Sequence, residues 1–493
     1  MPTTITKRNL SEKLESLKEK TAKGLFWGGL SNGIQQLLNL VFGIFLGRLL
    51  SPSEYGMVGM LTIFSLIAGS IQESGFIAAI VNKKEVKHED YNAVFWFSCL
   101  TSIVIYSILF AAAPLIADFF HTPELTSLAR YSFISFVIAS FSTAHYAYLF
   151  RNLMVKQRTI ATFFAMVISG ISGVTMAFCG FSYWGIVTQN IIYICITTAF
   201  AWHFAKFMPS FRIDFSPLKK MIGFSCKILI TNIFNHINNN IFTVILGKFY
   251  SDKEVGNYTQ ANKWNTMGHS FITGMMNQVA QPVLANVEGD NERQARVFRK
   301  MLRFAAFVAC PAMLGLSIIA PELIEITIGS AWAESAKMMQ ILCIGGVFIP
   351  ITTLYSNLIV AKGKSDIFLY NTIAISVTQL SIALITYPMG LKVMLYAFIC
   401  VNIAWIFVWH HFVNREIGLP LWGTIGDISR FFALAAIAMT AAYYSGIAID
   451  NIYIMLGVKI IVGASAYAAL LWIFRIPELN EGIEFAMQKI RKK

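Results

Sequence analysis

The stretch FLGRLLSPSEYGMV, residues 45–58, recurs 200 residues later as ILGKFYSDKEVGNY, residues 245–258. The copies share Leu, Gly, Ser, Glu and Gly in register, and Arg48 aligns with Lys248. Extended to 31–56 against 231–256, the alignment has eight identities in 26 positions. Repeats of this kind indicate a chain built from two related halves. We expect the Ser, Glu and Gly of each copy to shape a turn and begin a helix.

The surroundings of both copies are strongly apolar. Hydrophobic residues make up 56% of the 493 residues and charged residues only 13%, whereas soluble domains carry about 25% charged residues. Apolar blocks of about 20 residues are long enough to cross a bilayer as helices. The sequence therefore predicts an all-α polytopic membrane protein with fourteen spans, near 24–47, 55–80, 92–117, 127–150, 160–180, 184–207, 222–247, 255–281, 302–320, 338–360, 367–388, 391–411, 430–447 and 452–474.

The basic residues predict the orientation of these spans. With fourteen spans, 30 of the 39 Lys and Arg residues fall on the side of the termini and six on the other. This asymmetry predicts cytoplasmic termini. It also explains most of the net charge of +13, so the charge gives no reason to expect a nucleic-acid partner. Residues 1–23 lack a signal-peptide pattern and predict an amphipathic helix on the membrane surface. The seven cysteines lie in apolar segments without metal spacing, so we interpret them as packing residues.

The repeat predicts the division of the chain. Six spans separate the copies, so both face the same way and the repeat axis lies along the membrane normal. The predicted parts are the surface segment 1–23, an N-lobe at 24–207, a C-lobe at 208–412, two extra spans at 413–474 and a basic tail at 475–493. Paired lobes of this kind usually carry a substrate path between them. The sequence thus favours a transporter.

Polar side chains recur at the same place in both lobes. They stand at i, i+3, i+4 and i+7 of spans 1 and 7, and are Asn32, Gln35, Gln36, Asn39, Asn232, Asn235, His236 and Asn239. Amides facing lipid would lack hydrogen-bond partners, so each stripe faces protein or water. The sequence leaves two interpretations: a hydrated cavity that accepts hydroxyl-rich cargo, or hydrogen bonding between helices.

Cations are further candidates for binding cargo. Lys263 shares a helical face with Asn277 and Gln281 and lies roughly 12 Å from the outer end of span 8, where an ammonium needs water or an anion. A snorkelling or internally paired lysine is the alternative. Arg48 and Lys248 end spans 1 and 7, where a cation also suits a helix C-terminus.

Ionisable groups inside spans bear on coupling and catalysis. Glu73 is the one carboxylate that the spans place well inside the membrane, and it could carry a proton or pair with a lysine of the next loop. Glu54 and Glu254 are either partners of Arg48 and Lys248 or N-terminal charges of the next helices. No nucleotide-binding loop, metal spacing or catalytic set is recognisable, so we expect neither an enzyme nor a cofactor.

Longer motifs carry a family resemblance. TAKGLFWGGLSNGIQQLLNLVFGIFLGRLLSPSEYGMVGM, QESGFIAAIVNKK and ILGKFYSDKEVGNYTQANKW resemble the polysaccharide transporter family, of the O-antigen flippase type. That family lies within the multidrug and oligosaccharidyl-lipid exporter (MATE-like) superfamily. The resemblance covers nearly the whole chain.

The resemblance implies a flippase of the bacterial cytoplasmic membrane. Its cargo would be an oligosaccharide on a polyprenyl pyrophosphate, moved by alternating access of two lobes, with H⁺ or Na⁺ as coupling ion. It implies a monomer that meets membrane lipids and polysaccharide polymerase machinery. Tyr258 and Trp264 would offer aromatic faces to the sugar. The alternatives are a cation-coupled multidrug exporter of the same fold, which needs buried carboxylates, and a membrane glycosyltransferase, which needs long outer loops.

Overall fold

The computed structural model describes residues 32–287 and 289–479, and every regular element in these ranges is a helix. The predicted surface helix at 1–23 and the basic tail from 480 onward lie outside the described residues. The first ten helices are α1 (32–49), α2 (Pro52–Glu73), α3 (Phe76–Asn82), α4 (His88–Phe120), α5 (Leu125–Ser132), α6 (Ile134–Ser140), α7 (Thr143–Arg151), α8 (Val155–Phe178), α9 (Trp184–Phe204) and α10 (Ile222–Phe249).

Nine further helices follow α10 in the described part of the chain. They are α11 (Asp252–Asn286), α12 (Asn291–Ile318), α13 (Ala320–Ile328), α14 (Ala333–Gly346), α15 (Ile349–Ala361), α16 (Ser365–Thr386), α17 (Leu391–Ile417), α18 (Leu421–Gly446) and α19 (Ile452–Ile473). The chain divides into two compact units. The first unit consists of the residues up to Asn240 together with the short segment Tyr250–Lys253. The second unit consists of Ile241–Phe249 and the residues from Glu254 onward. This boundary lies inside α10, so the lobe boundary at 207/208 stays a prediction.

Ten helices of the described chain are long and apolar enough to cross a membrane. An eleventh is added if the pair 125–140 and 143–151, bent by 47°, counts as one span. The all-α polytopic architecture is therefore confirmed, while the count of fourteen spans stays a prediction. Predicted span 2 corresponds to α2 and α3, which are interrupted where Ser74 (φ 48°) and Gly75 (φ 68°) take left-handed conformations.

Local sequence signals explain how α2 begins. The Ser51 side chain accepts a hydrogen bond from the Glu54 backbone N–H, and the Glu54 carboxylate accepts from Ser51 N at 2.6 Å. This reciprocal pair is a capping box, which satisfies backbone donors that would otherwise lack partners. Ser51 and Glu54 thus begin a helix, as predicted. Gly56 has a different role from the predicted turn, because it lies inside α2 and packs directly against the backbone of Asp252.

Polar contacts attach the last two helices to the rest of the second unit. Arg299 of α12 pairs with Asp427 of α18 at 2.7 Å. The Tyr467 hydroxyl of α19 donates to the carbonyl oxygen of Phe307 in α12 at 3.0 Å. These contacts fix the orientation of α18 and α19 against α12 more specifically than apolar packing alone would.

Arg151, the last residue of α7, closes the carboxyl end of α3. Its guanidinium donates to the carbonyl oxygens of Ile80 (2.9 Å), Val81 (3.2 Å), Lys83 (2.5 Å) and Lys84 (2.9 Å). A helix leaves its last carbonyls without partners inside the helix, and a planar cation with several donors satisfies them well. Arg151 therefore holds the segment that follows α3 in place.

Arg151→Ala is expected to lower the free energy of unfolding by about 2–4 kcal/mol, because carbonyls that now accept charged hydrogen bonds lose their donor. Arg151→Lys is expected to lose less, since an ammonium reaches fewer carbonyls at once. Thermal unfolding in detergent micelles measures both. Arg415→Ala, at an exposed arginine near the end of α17, is the control. Equal stability of the Arg151→Ala and Arg415→Ala variants would show that the hydrogen bonds from the Arg151 guanidinium contribute nothing to stability.

Candidate functional site

The two predicted polar stripes differ in exposure, and the stripe on α1 is the more exposed one. In α1, Asn32, Gln36 and Asn39 are exposed and Gln35 is half-buried. In α10, Asn239 is exposed, and the other stripe members, Asn232, Asn235 and His236, are half-buried. Side chains of this kind have no stable place against lipid. Their exposure on the first unit favours contact with water or a polar ligand, so the hydrated-cavity interpretation stays the preferred prediction.

The helices that carry these residues fall short of the hydropathy expected of a membrane span. The described part of α1 and the whole of α10 and α11 are absent from the ten helices that meet the criterion for a membrane span. Their amides explain this, because each polar side chain lowers the hydropathy of the helix that carries it. A membrane protein can hold such helices only where they are shielded from lipid or lie beside water.

Lys263 lies in α11 of the second unit and is half-buried. No hydrogen bond or ion pair is recorded for its ammonium within 32–287 and 289–479. Farther along the same helical face, Asn277 and Gln281 are exposed, and Asn277 Oδ1 accepts from Asn357 Nδ2 of α15 at 3.1 Å. The face predicted to carry cargo contacts therefore presents one cation and two amides.

The aromatic residues near Lys263 do not have the predicted role. Tyr258 and Trp264 are buried in the second unit, and the Tyr258 ring packs against Phe242 with 4.8 Å between centroids. Because their rings are covered by protein, they form part of the core and leave little surface for a sugar. The proposal that they offer aromatic faces was wrong.

Sequence reasoning missed three buried amides on α11. Asn257, Gln260 and Asn265 are at most 4% exposed. Among the described residues, both amide atoms of Asn257, Nε2 of Gln260 and Oδ1 of Asn265 have no hydrogen-bond partner. Buried polar atoms are normally satisfied by protein or ordered water, so these amides are polar positions inside the second unit that hydropathy does not reveal. The segment NYTQANKWN is polar on all sides, and periodicity alone could not show which face is buried.

Arg48 and Lys248 have local interactions. Arg48 is exposed and Lys248 half-buried, and each makes a polar or electrostatic contact. Glu54 belongs to the capping box of α2 and also accepts a hydrogen bond from the Ser182 hydroxyl. Of the two roles predicted for Glu54, the charge at a helix N-terminus is therefore the one observed. A direct part for Arg48 and Lys248 in binding stays a prediction.

Two carboxylates lie in contrasting settings. Glu73 is half-buried at the end of α2, and no ion pair is recorded for it in the described chain. The lysine of the next loop that could have met it, Lys83, pairs instead with Asp90 at 2.6 Å. Glu322 of α13 is buried and pairs with Lys459 of α19, but α13 is not among the helices of the described chain that could cross a membrane, so the placement of Glu73 well inside a span stays a prediction. Within the described ranges no group of His, Cys, Asp and Glu could hold a metal ion.

The helical arrangement matches known membrane transporters. Over 91% of this chain and 98% of the other, it superposes on the lipid II flippase MurJ in an inward closed conformation, with a TM-score of 0.75 and 14% identity. An inward-facing multidrug resistance MATE transporter of the MOP superfamily superposes over 78% of this chain and 94% of its own, with a TM-score of 0.62 and 18% identity. The fold is therefore that of the MurJ and MATE transporters, as the sequence resemblance implied.

Sequence comparison identifies the family. Residues 45–337 match the model of the family described as polysaccharide biosynthesis protein, and the chain belongs to that family. The chain is 22% identical over 359 residues to the lipopolysaccharide biosynthesis protein WzxC of Escherichia coli, covering 71% of this chain and 72% of the relative. It is 21% identical to the teichuronic acid biosynthesis protein TuaB of Bacillus subtilis, covering 82% and 83%.

Proposed function

We propose that the chain is a flippase that moves a lipid-linked oligosaccharide across the bacterial cytoplasmic membrane for surface polysaccharide synthesis. The observation that carries this proposal is the set of exposed amides on α1, with Asn239 on α10, in a chain whose fold matches that of a lipid II flippase. Amides hydrogen-bond sugar hydroxyls, and burying them against lipid would be costly. The names of relatives, among them a succinoglycan biosynthesis transport protein of Rhizobium meliloti, support the same class of cargo. They support transport rather than catalysis.

The multidrug exporter is the second candidate, because the fold is also that of MATE transporters. An exporter of cationic compounds needs a carboxylate that the compound can reach. Glu322 is already neutralised by Lys459, which leaves Glu73 as the candidate. The exposed amides and half-buried Lys263 suit an anionic, hydroxyl-rich cargo better than a cation.

The proposal also covers the coupling ion, the orientation in the membrane, the oligomeric state and the partners. Glu73, beside the break between α2 and α3, is the residue we propose for coupling to H⁺ or Na⁺. We further propose cytoplasmic termini, a monomer and association with the polysaccharide polymerase machinery. The distribution of Lys and Arg supports the orientation.

Reconstitution tests the function directly. Proteoliposomes would receive a polyprenyl diphosphate that carries a fluorescent oligosaccharide, and an impermeant lectin would report its arrival in the opposite leaflet. Transfer that depends on the protein and on the diphosphate is expected. Transfer of a cationic dye in place of the glycolipid would contradict the proposal in favour of the exporter.

Lys263→Ala is expected to reduce this transfer at least about tenfold, which corresponds to about 1.4 kcal/mol. The reason is that the diphosphate would lose a cation at a depth where water screens charge poorly. Lys263→Arg should retain most of the transfer. Lys337→Ala, at an exposed residue paired with Glu334, is the matched control. Transfer by Lys263→Ala equal to that of the control would remove Lys263 from the cargo site.

A further inference from the structure

A charged cavity lies in the first unit, at the end predicted to face the cytoplasm. The segments 83–92 and 210–220 line it, and its volume is about 780 Å³. Lys84, Lys87, Arg212 and Lys220 are exposed along its walls, and no ion pair is recorded for them in the described chain. Lys83, by contrast, is paired with the buried Asp90. The cavity therefore presents four cations without an ion pair in the described ranges, and one of them, Arg212, interacts electrostatically with Asp214.

Hydrogen bonds hold the walls of this cavity together. Asn92 donates from Nδ2 to the Arg212 carbonyl oxygen at 2.7 Å and accepts from Ser210 N at 2.8 Å. Trp96 Nε1 donates to the Ser210 carbonyl oxygen at 2.7 Å. Across the cavity, Arg151 holds the chain at Lys83 and Lys84 through their carbonyls. A site whose backbone is held before binding loses less entropy when a ligand enters.

The rim of the cavity suits the membrane surface. The connection between α9 and α10 exposes four large apolar side chains next to its basic residues: Met208, Phe211, Ile213 and Phe215. Phe211 is 92% exposed. Exposed apolar side chains interleaved with cations are typical of segments that lie at the boundary between headgroups and acyl chains. This composition suits a position of the α9–α10 connection at the level of the lipid headgroups.

The lining has two kinds of chemistry. The cations can bind phosphate oxygens, while Glu85, Glu89 and Asp214 offer carboxylates that accept hydrogen bonds from sugar hydroxyls. Asp214 stays ionised at neutral pH, because hydrogen bonds from the Ser216 side chain and backbone hold its pKa below the usual range. Known ligand cavities span about 300–1,000 Å³, so this one has room for a diphosphate and a sugar together.

We propose that this cavity captures the glycosyl diphosphate headgroup of the lipid-linked cargo on the cytoplasmic side before translocation. The inference rests on the proposed function and adds a loading site to it, separate from the polar helices. A phosphatidic acid headgroup would satisfy the cations but would leave the carboxylates without hydroxyl partners and facing a phosphate.

Binding in nanodiscs of neutral phosphatidylcholine tests the proposal. The probe is a polyprenyl diphosphate that carries one N-acetylglucosamine, and native mass spectrometry or thermophoresis measures its affinity. The triple variant Lys87→Gln, Arg212→Gln and Lys220→Gln is expected to bind at least about tenfold more weakly, because three charge-assisted contacts are lost. The triple variant Lys87→Arg, Arg212→Lys and Lys220→Arg, which keeps every charge, should retain most of the affinity. Lys219→Gln, next to Lys220 but outside the lining, is the matched control.

The outcomes separate this inference from the proposed function. Equal affinity of the Gln triple variant and Lys219→Gln would overturn the loading site while leaving translocation untouched. Equal competition by phosphatidic acid, whose headgroup is a phosphate without an alcohol, would also overturn it, in favour of a general phosphate contact. A wild-type protein that binds the probe in the cavity but moves no glycolipid in proteoliposomes would refute the flippase proposal instead. Weaker binding by the Gln triple variant, with an unchanged melting temperature and with rescue by the charge-preserving variant, supports the loading site.

Discussion

Glu322→Ala is expected to lower the free energy of unfolding by about 3–5 kcal/mol, because it leaves a buried ammonium without its counter-ion. Glu322 and Lys459 are each 6% exposed, and they form an ion pair between α13 and α19. The Lys459 side chain passes over Gly446, where an added Cβ would lie 2.6 Å from Lys459 Cε. The lysine therefore has little freedom to reach another partner. Equilibrium unfolding in mixed micelles, followed by tryptophan fluorescence, measures the loss.

Two comparisons show whether burial causes this loss. The double variant Glu322→Leu with Lys459→Met removes both charges and is expected to recover most of the stability, since apolar residues replace a buried pair at little cost. Glu334→Ala breaks the exposed Lys337–Glu334 pair, which has an N–O distance of 2.6 Å and side chains 55% and 48% exposed. Exposed pairs contribute at most about 1 kcal/mol. Similar losses for Glu322→Ala and Glu334→Ala would contradict the argument.

The buried pair also shows where sequence reasoning stops. Lys459 falls within the predicted span 452–474, and a lysine at such a position needs a partner. The partner is 137 residues away, in a segment interpreted as an outer loop. Helices and caps depend on neighbours in sequence, which is why the apolar helices and the Ser51–Glu54 capping box could be predicted. Contacts between distant helices depend on packing that no local pattern encodes.

The candidate site was only partly predictable for the same reason. Helical periodicity put Asn32 and Asn39 on one face of a helix, and the structure leaves both uncovered. On α11 the pattern was ambiguous, because both faces are polar. Tertiary packing buries Asn257 and Tyr258 and leaves Lys263 half-buried, and the sequence offers no means of ranking these faces.

Gly56→Ala is the second variant with a large expected effect. An added Cβ at Gly56 would lie 1.7 Å from the carbonyl oxygen of Asp252 and 2.6 Å from its carbonyl carbon. Asp252 lies in the first turn of α11, in the part that belongs to the first unit, and it also accepts a hydrogen bond from the Ser53 hydroxyl. The two copies of the repeated segment therefore meet at this point, and the glycine allows their backbones to touch.

The methyl group of alanine cannot be accommodated by a change of rotamer, because the atoms that it meets belong to the backbone. We expect α2 and Asp252 to separate, which would break the Ser53 hydrogen bond and lower the free energy of unfolding by about 3 kcal/mol or more, at the upper end for overpacking.

Gly69→Ala on the same helix is the matched control, because no atom lies within 4 Å of its added Cβ. That variant should be neutral or more stable by up to about 1 kcal/mol, since alanine favours helix over glycine. Thermal unfolding in detergent distinguishes the two. If Gly56→Ala melted at the temperature of Gly69→Ala, Gly56 would not be needed for close approach, and its recurrence at Gly256 would need another explanation.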